Sequence, residues 1–338
     1  MVSLSVRFRP TEFEDVCSQE SIIRILTQQL ATNTFKNVYL FYGASGCGKT
    51  TVARIFANKV NKGYSIPIEL DAASNNGVEN VRQLIKSASE RSLDSEYKVI
   101  IIDECHALTN QAWQAFLKCI EEPPRYTIFI FCTTEKNKVP ETIKNRCQVF
   151  NFNRITSSVI CSRLKYICKE LKLTYYDEAC EYISKISDNS LRTAISNLEK
   201  CIDFDSSLSI QSVLKCLGNF SYKTFFDLIN SIIDGKETDV ILCINSLYEE
   251  GNDLKLFVDE FFRFALDLSK YILFKDCSII SIPNVYEDDI IRCINFDSSS
   301  SYYSYIIDNV LKLKEMLKLD TDYLSIIETF FIKMSRCE

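Results

Sequence analysis

The chain has 338 residues, of which 46% are hydrophobic and 25% are charged, and its net charge is −6. This length allows two or three domains with their own cores, and the composition is that of an ordinary globular protein. The longest purely apolar runs, such as residues 99–102, are too short to cross a bilayer, and the first residues lack the apolar stretch of a signal peptide. We therefore expect a cytoplasmic protein without a membrane partner.

Charge and cysteine content narrow the possible partners and ligands. Residues 1–153 contain 18 Lys and Arg against 16 Asp and Glu, whereas residues 154–338 contain 21 against 29, so contact with a polyanion is expected in the first half. The chain has 15 cysteines but no Cys-x-x-Cys pair, and its only histidine is His106. We expect reduced, mostly buried thiols rather than disulfides or a zinc site.

A glycine-rich segment at residues 43–50 follows an apolar run at residues 38–42 and precedes a helical pattern at residues 50–59. Its sequence, Gly-Ala-Ser-Gly-Cys-Gly-Lys-Thr, has the spacing and the strand–turn–helix context of a phosphate-binding loop, which favours this interpretation over a simple capped turn. We expect Lys49 to reach the β- and γ-phosphates of a nucleoside triphosphate and the Thr50 hydroxyl to ligate Mg²⁺. The nucleotide-binding residues predicted here are Gly43, Ala44, Ser45, Gly46, Cys47, Gly48, Lys49, Thr50 and Thr51.

Strand-like and helix-like segments alternate from residue 36 to residue 153. The strand candidates are continuous β-branched and aromatic runs, as expected of parallel strands that are buried on both faces, at residues 38–42, 66–70, 98–102, 127–132 and 148–152. Helical patterns follow at residues 50–59, 78–89 and 111–121. This alternation predicts an α/β fold with a doubly wound parallel sheet, whose ligand lies at the carboxyl ends of the strands.

Two adjacent acids, Asp103 and Glu104, follow the strand predicted at residues 98–102. Two carboxylates at the end of a buried strand repel each other unless a cation is near, which favours a metal over a merely polar strand end. We expect Asp103 to hold Mg²⁺ beside the phosphate loop and Glu104 to activate a water for attack on the γ-phosphate. Thr133 and Thr134 end the next strand, where a hydroxyl could contact that phosphate, although threonine is common at strand ends.

Arg146 precedes the last predicted strand. Its planar, permanently charged guanidinium is suited to stabilise developing phosphate charge as an arginine finger. A surface salt bridge is an equal alternative, and the sequence leaves both open.

The character of the chain changes after about residue 153, where strand signals fade. Apolar residues at helical spacing predict helices at residues 157–171, 176–187, 190–202, 210–217, 222–234, 237–249, 254–274, 302–318 and 322–336. Residues 276–301 are predicted to be loop-like with one short helix, and breaks are predicted at residues 203–209 and at Gly218. The acidic C-terminal part favours protein–protein packing.

Six sequence segments resemble a known family. They are residues 8–16, the phosphate loop, and residues 69–78, 102–106, 117–124 and 145–147. Together they resemble the AAA+ ATPases of sliding-clamp loaders, specifically the bacterial gamma/tau subunits of DNA polymerase III, over about residues 5 to 200. The resemblance implies an AAA+ nucleotide-binding α/β domain at residues 1–153, a helical lid at 154–217 and an all-helical collar or oligomerisation domain at 218–338.

The resemblance also implies roles for individual residues. ATP and Mg²⁺ become the ligands, Lys49 and Thr50 keep the roles given above, Asp103 is the Mg²⁺-binding acid and Glu104 the catalytic base. Thr134 is implied to be the first sensor of the γ-phosphate, Arg192 the second sensor, and Arg146 a finger that acts on a neighbouring subunit's ATP. The residues implied to border the adenine are Arg9, Pro10 and Val16. The residues implied to face DNA are Asn110, Lys118 and Lys138.

Two departures from this family affect the expectations. The family has a four-cysteine zinc module, but this chain has no cysteine between Cys47 and Cys105, and residues 60–67 are too few to hold it, so we expect no zinc. Asn110 lies where the family usually has a basic residue, so the contact with DNA is expected to be thinner.

The function implied is that of an ATP-driven motor subunit of a clamp loader in a bacterial or phage-infected cell. It would assemble with other loader subunits into a ring, a pentamer, and load a sliding clamp onto primer-template DNA. Two alternatives stay open. A non-hydrolysing, ATP-binding structural subunit of the same ring would not need the intact pair Asp103 and Glu104. A different AAA+ DNA-processing ATPase would call for a basic C-terminal DNA-binding module, whereas this C-terminal part is acidic.

Overall fold

The chain forms two compact units in a computed structural model that describes residues 2–63, 66–90, 95–205, 207–217, 220–295, 299–318 and 322–336. The first unit comprises Met1–Leu173 and Ile183–Lys200, and the second comprises Thr174–Tyr182 and Cys201–Glu338. The three domains expected from the sequence, with boundaries at 153/154 and 217/218, stay a prediction. Gly218, expected as a break, lies outside the described residues.

A five-stranded parallel sheet forms the centre of the first unit, in the order β2-β3-β4-β1-β5. The strands are β1 Val38–Gly43, β2 Ile68–Asp71, β3 Lys98–Asp103, β4 Thr127–Thr133 and β5 Gln148–Phe152. All five were predicted, which confirms the α/β parallel sheet. Strand β2 begins two residues later than expected because it lies at an edge and pairs with β3 alone, starting where Ile68 lies beside Ile100.

Helices cover both faces of this sheet. They are α1 Leu4–Arg7, α2 Glu20–Thr32, α3 Lys49–Val60, α4 Val78–Ser89, α5 Asn110–Glu121, α6 Glu141–Lys144 and α7 Ser157–Glu170, followed by α8 Asp177–Ile186 and α9 Leu191–Phe204, which cross the boundary between the units. The sequence did not predict α2, although Ile22 and Leu26 repeat at helical spacing and are buried. Its start lacks a side-chain cap, so the usual start signal was absent.

Successive residues of the inner strands β1, β3 and β4 enter two different cores, which is why these strands read as continuous apolar runs, whereas the edge strands β2 and β5 are partly exposed. Tyr39 and Phe41 of β1 pack in the core that contains residues of α2 and α3. Val38 and Leu40 pack in the core that contains residues of α4 and α5. The sheet is therefore the middle layer of three, and its strand ends are held rigidly.

Helices dominate the second unit. They are α10 Ile210–Leu217, α11 Tyr222–Ile233, α12 Glu237–Glu249, α13 Leu254–Phe274, α14 Glu287–Ile294, α15 Ser299–Met316 and α16 Tyr323–Arg336. A short parallel pair, β6 Thr174–Tyr175 and β7 Ser207–Leu208, was not predicted. The core is rich in phenylalanine: the rings of Phe225 and Phe257 stack at 5.5 Å, and those of Phe261 and Phe331 lie 5.1 Å apart.

The helices predicted after residue 153 are present, and those at residues 210–217, 237–249 and 254–274 have the expected bounds. The loop-like region predicted at residues 276–301 holds α14, two short 3₁₀ turns and the start of α15. Among the described helices, none combines the length and apolar character that crossing a membrane requires.

Candidate functional site

A cleft lies in the first unit at the carboxyl ends of the strands. Its empty volume is about 900 Å³, which includes space that is open to solvent. The predicted site residues that line it are Arg9, Pro10, Val16, Ser45, Gly46, Cys47, Gly48, Lys49, Thr50, Thr51, Asp103, Glu104 and Arg192. Thus residues that are up to 183 positions apart in the sequence share one cleft.

The glycine-rich loop adopts a conformation that requires glycine. Gly46 and Gly48 have φ angles of +72° and +100°, in the left-handed region that other residues rarely occupy. Gly48 precedes α3, so the loop leads directly into a helix whose first three residues line the cleft and whose first N–H groups have no partner within the helix. The N-terminus of a helix favours anions through these groups and the helix dipole.

Lys49 is a buried cation. Its side chain is 6% exposed, and its Nζ donates hydrogen bonds to the carbonyl oxygens of Gly43 and Ala44, both at 2.9 Å. Among the described residues, no carboxylate lies within 4.0 Å of this Nζ. A buried charge without an opposite partner is costly, so the position fits a group whose anion is supplied by a ligand.

Thr50 and Asp103 connect the start of α3 to the end of β3. The Thr50 hydroxyl donates to Asp103 Oδ2 at 2.8 Å, and Asp103 Oδ1 accepts the Glu104 N–H at 3.0 Å. Glu104 itself has a φ of +47°, an unusual backbone conformation for a glutamate. This turn takes Glu104 out of the line of the strand and into the lining of the cleft.

The Glu104 carboxylate has two neighbours from the adjacent chain segments. Thr134 Oγ1 donates to Glu104 Oε2 over a long 3.4 Å, and His106 Nδ1 lies 3.3 Å from the same oxygen. His106 also contacts the Thr133 hydroxyl at 3.1 Å and Glu135 Oε1 at 3.4 Å. Thr134 therefore lies beside the predicted base, while its role as a sensor of the γ-phosphate stays a prediction; the position of His106 was not predicted.

The rest of the cleft wall comes from the N-terminal segment and from α9. Arg9, Pro10 and Val16 lie on one part, and Arg192 lies on α9. Sequence reasoning missed the remaining lining residues, Ser5, Phe8, Cys17, Ile155, Leu191 and Ile195. Most of them adjoin a predicted residue or lie one helical turn from it, which is the only signal that the sequence offered.

Arg146 lies outside the cleft lining and is held within its own chain. Its guanidinium donates to Glu121 Oε1 at 2.7 Å and to the Thr142 carbonyl at 2.8 Å. The side chain is 38% exposed. A salt bridge is thus present, and the arginine-finger role stays a prediction.

The three residues predicted to face DNA are exposed. Asn110 and Lys118 lie two helical turns apart on α5, and Lys138 pairs with Glu135 at 2.8 Å. The Lys138 ammonium holds the pKa of the Glu135 carboxyl below its usual value. The role of these residues toward DNA stays a prediction.

The thiols around the site are neutral. Burial raises the pKa of the Cys47 thiol, against a smaller opposing effect of the Lys49 charge. Burial also raises the pKa of Cys105 and Cys132 well above its ordinary value. None of these three cysteines is thus a thiolate at neutral pH, which excludes them as nucleophiles.

The residues present fit a magnesium nucleotide. The Thr50 hydroxyl and the Asp103 carboxylate are oxygen donors, the type that Mg²⁺ prefers, and they lie side by side. Magnesium is usually held by one or two carboxylates together with water and phosphate oxygens, so two protein groups suffice. Lys49 and the start of α3 supply the positive charge that the phosphates need.

Comparison with known proteins places this geometry in context. The chain is 38% identical over 286 residues to the DNA polymerase III subunit tau of Bacillus subtilis, covering 78% of this chain and 51% of the relative. It is 32% identical over 324 residues to the DNA polymerase III subunit gamma/tau of Mycoplasma genitalium, covering 89% of this chain and 53% of that protein. The chain thus spans about half the length of these curated relatives.

A family model and solved structures also match parts of this chain. The family described as DNA polymerase III, delta subunit, matches residues 66–156. The fold is similar to the RuvB Holliday junction branch migration motor of Thermotoga maritima, with a TM-score of 0.54 and 19% identity, over 73% of this chain and 86% of that one. At this identity the likeness shows the fold alone, which is the AAA+ architecture expected from the sequence.

Proposed function

This chain is homologous to the gamma/tau subunits of DNA polymerase III and has the AAA+ fold, and from this premise we propose that it is an ATP-driven motor subunit of a DNA sliding-clamp loader. In this role it is a cytoplasmic ATPase that uses Mg²⁺ and assembles with other loader subunits into a pentameric ring. The ring opens a sliding clamp and loads it onto primer-template DNA.

The observation that carries this proposal is the arrangement at the ends of β1 and β3. Lys49 is a buried cation without a carboxylate partner in the described part of the chain, and Thr50 is hydrogen-bonded to Asp103. Glu104 lies next to them in the lining of the same cleft. These groups are the ones that phosphoryl transfer to water requires, namely phosphate charge neutralisation, metal ligation and a base.

Each group has a separate task in this mechanism. Lys49 and the N–H groups at the start of α3 hold the β- and γ-phosphates. A magnesium ion ligated by Thr50 and Asp103 would neutralise charge between these phosphates. Glu104 accepts the proton of the attacking water, and Thr134 and His106, at 3.4 Å and 3.3 Å, limit the orientations of its carboxylate.

Two arginines connect hydrolysis to conformation. Arg192 lies in the cleft wall, where its guanidinium can respond to the presence of the γ-phosphate. Arg146 is outside this cleft and is exposed, so it acts on the nucleotide of a neighbouring subunit, and its contact with Glu121 sets the position from which it does so.

The contact with DNA is carried by the exposed side of α5 and by Lys138. From Asn110 to Lys118, the exposed side of α5 has a single cation, Lys118. This helix therefore neutralises few phosphates. The salt dependence of DNA binding is thus expected to be shallow, because its slope scales with the number of phosphates neutralised.

Single-turnover ATP hydrolysis tests the motor assignment against a purely structural ATP-binding role. Glu104→Gln should bind ATP but reduce hydrolysis at least a hundredfold, with and without primer-template DNA and clamp. Wild-type hydrolysis by Glu104→Gln would refute the role of the base. A wild-type chain that binds ATP but never hydrolyses it would favour the structural role.

A mixing experiment tests the role of Arg146. Lys49→Met removes nucleotide binding, and Arg146→Ala removes the finger, so each variant alone should be inactive in an assembled ring. A mixture of the two should recover part of the activity, because Arg146 of one chain can act on the nucleotide of the other. A mixture with no more activity than its components would contradict action between subunits.

A further inference from the structure

A carboxylate on α9 caps the beginning of the chain. Glu199 Oε1 accepts the Leu4 N–H at 2.9 Å, and Glu199 Oε2 accepts the Ser3 hydroxyl at 3.0 Å. Leu4 is the first residue of α1, whose leading N–H groups have no partner inside the helix. Hydrogen bonds to a charged acceptor are stronger than those between neutral groups, so Glu199 is a firm anchor for this segment.

The two elements joined in this way form adjoining parts of the cleft wall. The segment after the anchor supplies Ser5, Phe8 and Arg9 to the lining. Helix α9 supplies Arg192 and Ile195, which lie seven and four residues before Glu199 and so share its side of the helix. Glu199 therefore fastens one wall of the cleft to the helix that carries Arg192.

A second contact holds the same segment elsewhere. The Arg163 guanidinium, on α7, donates to the Phe8 carbonyl at 3.1 Å. This contact lies at the far end of the segment from Ser3 and Leu4. Loss of the Glu199 contact would thus free the first turn of α1 while Phe8 stays attached.

We propose that Glu199 is a positioning residue that couples the N-terminal wall of the nucleotide cleft to α9, so that the wall and Arg192 move together. This inference rests on the proposed nucleotide-binding function. When Arg192 responds to a γ-phosphate, Glu199 transmits the displacement of α9 to residues 3–10. The cleft therefore closes on both sides of the nucleotide in one step.

The first test measures nucleotide affinity and turnover. Glu199→Ala should raise the KM for ATP about three- to tenfold, the order of the net contribution of one ordinary hydrogen bond, while kcat at saturating ATP stays near the wild-type value. Glu199→Gln keeps an acceptor for the Leu4 N–H, so it should give a smaller increase. Ser3→Ala removes the hydroxyl contact with Glu199 and the cap that Ser3 Oγ forms on the Ser5 N–H, but it leaves the bond between Glu199 and the Leu4 N–H, so its increase should also be smaller than that of Glu199→Ala. Glu170→Ala, which truncates an exposed glutamate on α7 outside the cleft lining, is the matched control.

The second test follows the N-terminal segment directly. Trypsin can cut the bond between Arg7 and Phe8, whereas Pro10 protects the bond after Arg9. In the wild-type chain a non-hydrolysable ATP analogue should slow this cut more than ADP does. In Glu199→Ala the cut should be faster without nucleotide, and the difference between the two nucleotides should vanish.

The outcomes separate this inference from the proposed function. If the wild-type chain binds nucleotide but Glu199→Ala, with an unchanged unfolding transition, has wild-type KM and cleavage, the inference is refuted and the function stands. If Glu199→Ala does not fold, the KM for ATP and the rate of trypsin cleavage are measured for Glu199→Gln and Ser3→Ala and compared with those of the control Glu170→Ala. Values equal to the control for both variants refute the inference. If the wild-type chain binds no nucleotide, both are refuted.

Discussion

Replacement of Gly46 by alanine tests how closely the phosphate loop approaches α9. A Cβ atom built on Gly46 would lie 2.2 Å from Ser190 Oγ and 3.1 Å from Ser190 Cβ. A Cβ on Gly48 would have no described heavy atom within 4 Å beyond its immediate neighbours. Both glycines have positive φ angles, so the two substitutions share backbone strain and differ in the collision.

The expected destabilisation is the sum of the backbone strain and the cost of the collision with Ser190. A left-handed backbone costs an alanine about 1–2 kcal/mol, and overpacking costs about 1–3 kcal/mol. Gly46→Ala should thus lower the free energy of unfolding by about 2–5 kcal/mol, and Gly48→Ala by about 1–2 kcal/mol. Ser190→Gly removes the colliding atoms, and its own effect is about 0.3 kcal/mol because glycine is tolerated at a helix N-cap.

Urea unfolding of the nucleotide-free chain measures these values. Trp113 is the only tryptophan of the chain and is buried in the first unit, so its fluorescence reports the unfolding of that unit. The double variant Gly46→Ala with Ser190→Gly should recover about 1–3 kcal/mol relative to Gly46→Ala alone. Equal losses for Gly46→Ala and Gly48→Ala, or no recovery in the double variant, would show that the loop and α9 are not in contact.

Three further predictions concern charge and protonation. Lys49→Met should abolish binding of a fluorescent ATP analogue. The free energy of unfolding without nucleotide should nevertheless stay equal or rise, because the variant lacks a buried cation that has no carboxylate partner among the described residues; a loss above about 1 kcal/mol would contradict this. Asp103→Asn should remove most of the difference between nucleotide affinities measured in Mg²⁺ and in EDTA, whereas an unchanged difference would place the metal elsewhere. Burial raises the pKa of Cys147 from 9.0 to about 12, so at pH 10 the unfolded chain has lost this proton while the folded chain retains it. The contribution of Cys147 to stability should thus fall as pH rises through 9, by about 1.4 kcal/mol at pH 10, and urea unfolding of Cys147→Ala should show a total fall that is smaller by this amount.

The sequence predicted those parts of the fold where local pattern and tertiary environment agree. The inner strands β1, β3 and β4 are buried on both faces, so their apolar runs mark them, and α4 has the predicted bounds of residues 78–89. Helix α2 was missed because the residue before it, Gln19, has a left-handed conformation and provides no side-chain cap. The pair β6 and β7 was missed because two residues on each strand are too few for a periodic signal.

The candidate site was predictable to the extent that topology brings its residues together. Parallel strands end at one edge of the sheet, so a phosphate loop after β1 and acids after β3 must lie close to each other. The contact between Thr50 and Asp103 is the direct result. Contacts such as those of Glu199 with Ser3 and Leu4 cross 195 residues or more, and no local pattern contains them.

Some of the residues that break local rules lie in or beside the cleft. Glu104, Ser18 and Gln19 are three of the nine described non-glycine residues with positive φ angles, and Lys49 is a buried charge without a carboxylate partner among the described residues. Such features cost folding free energy, of the order of 1–3 kcal/mol for each strained residue, and persist where function requires them. Glu104 and Lys49 line the cleft, and Gln19 donates to the carbonyl of Cys47 in the phosphate loop. A ligand that neutralises Lys49 would therefore stabilise the folded chain by more than its contacts alone, because it removes a penalty that the free protein already carries.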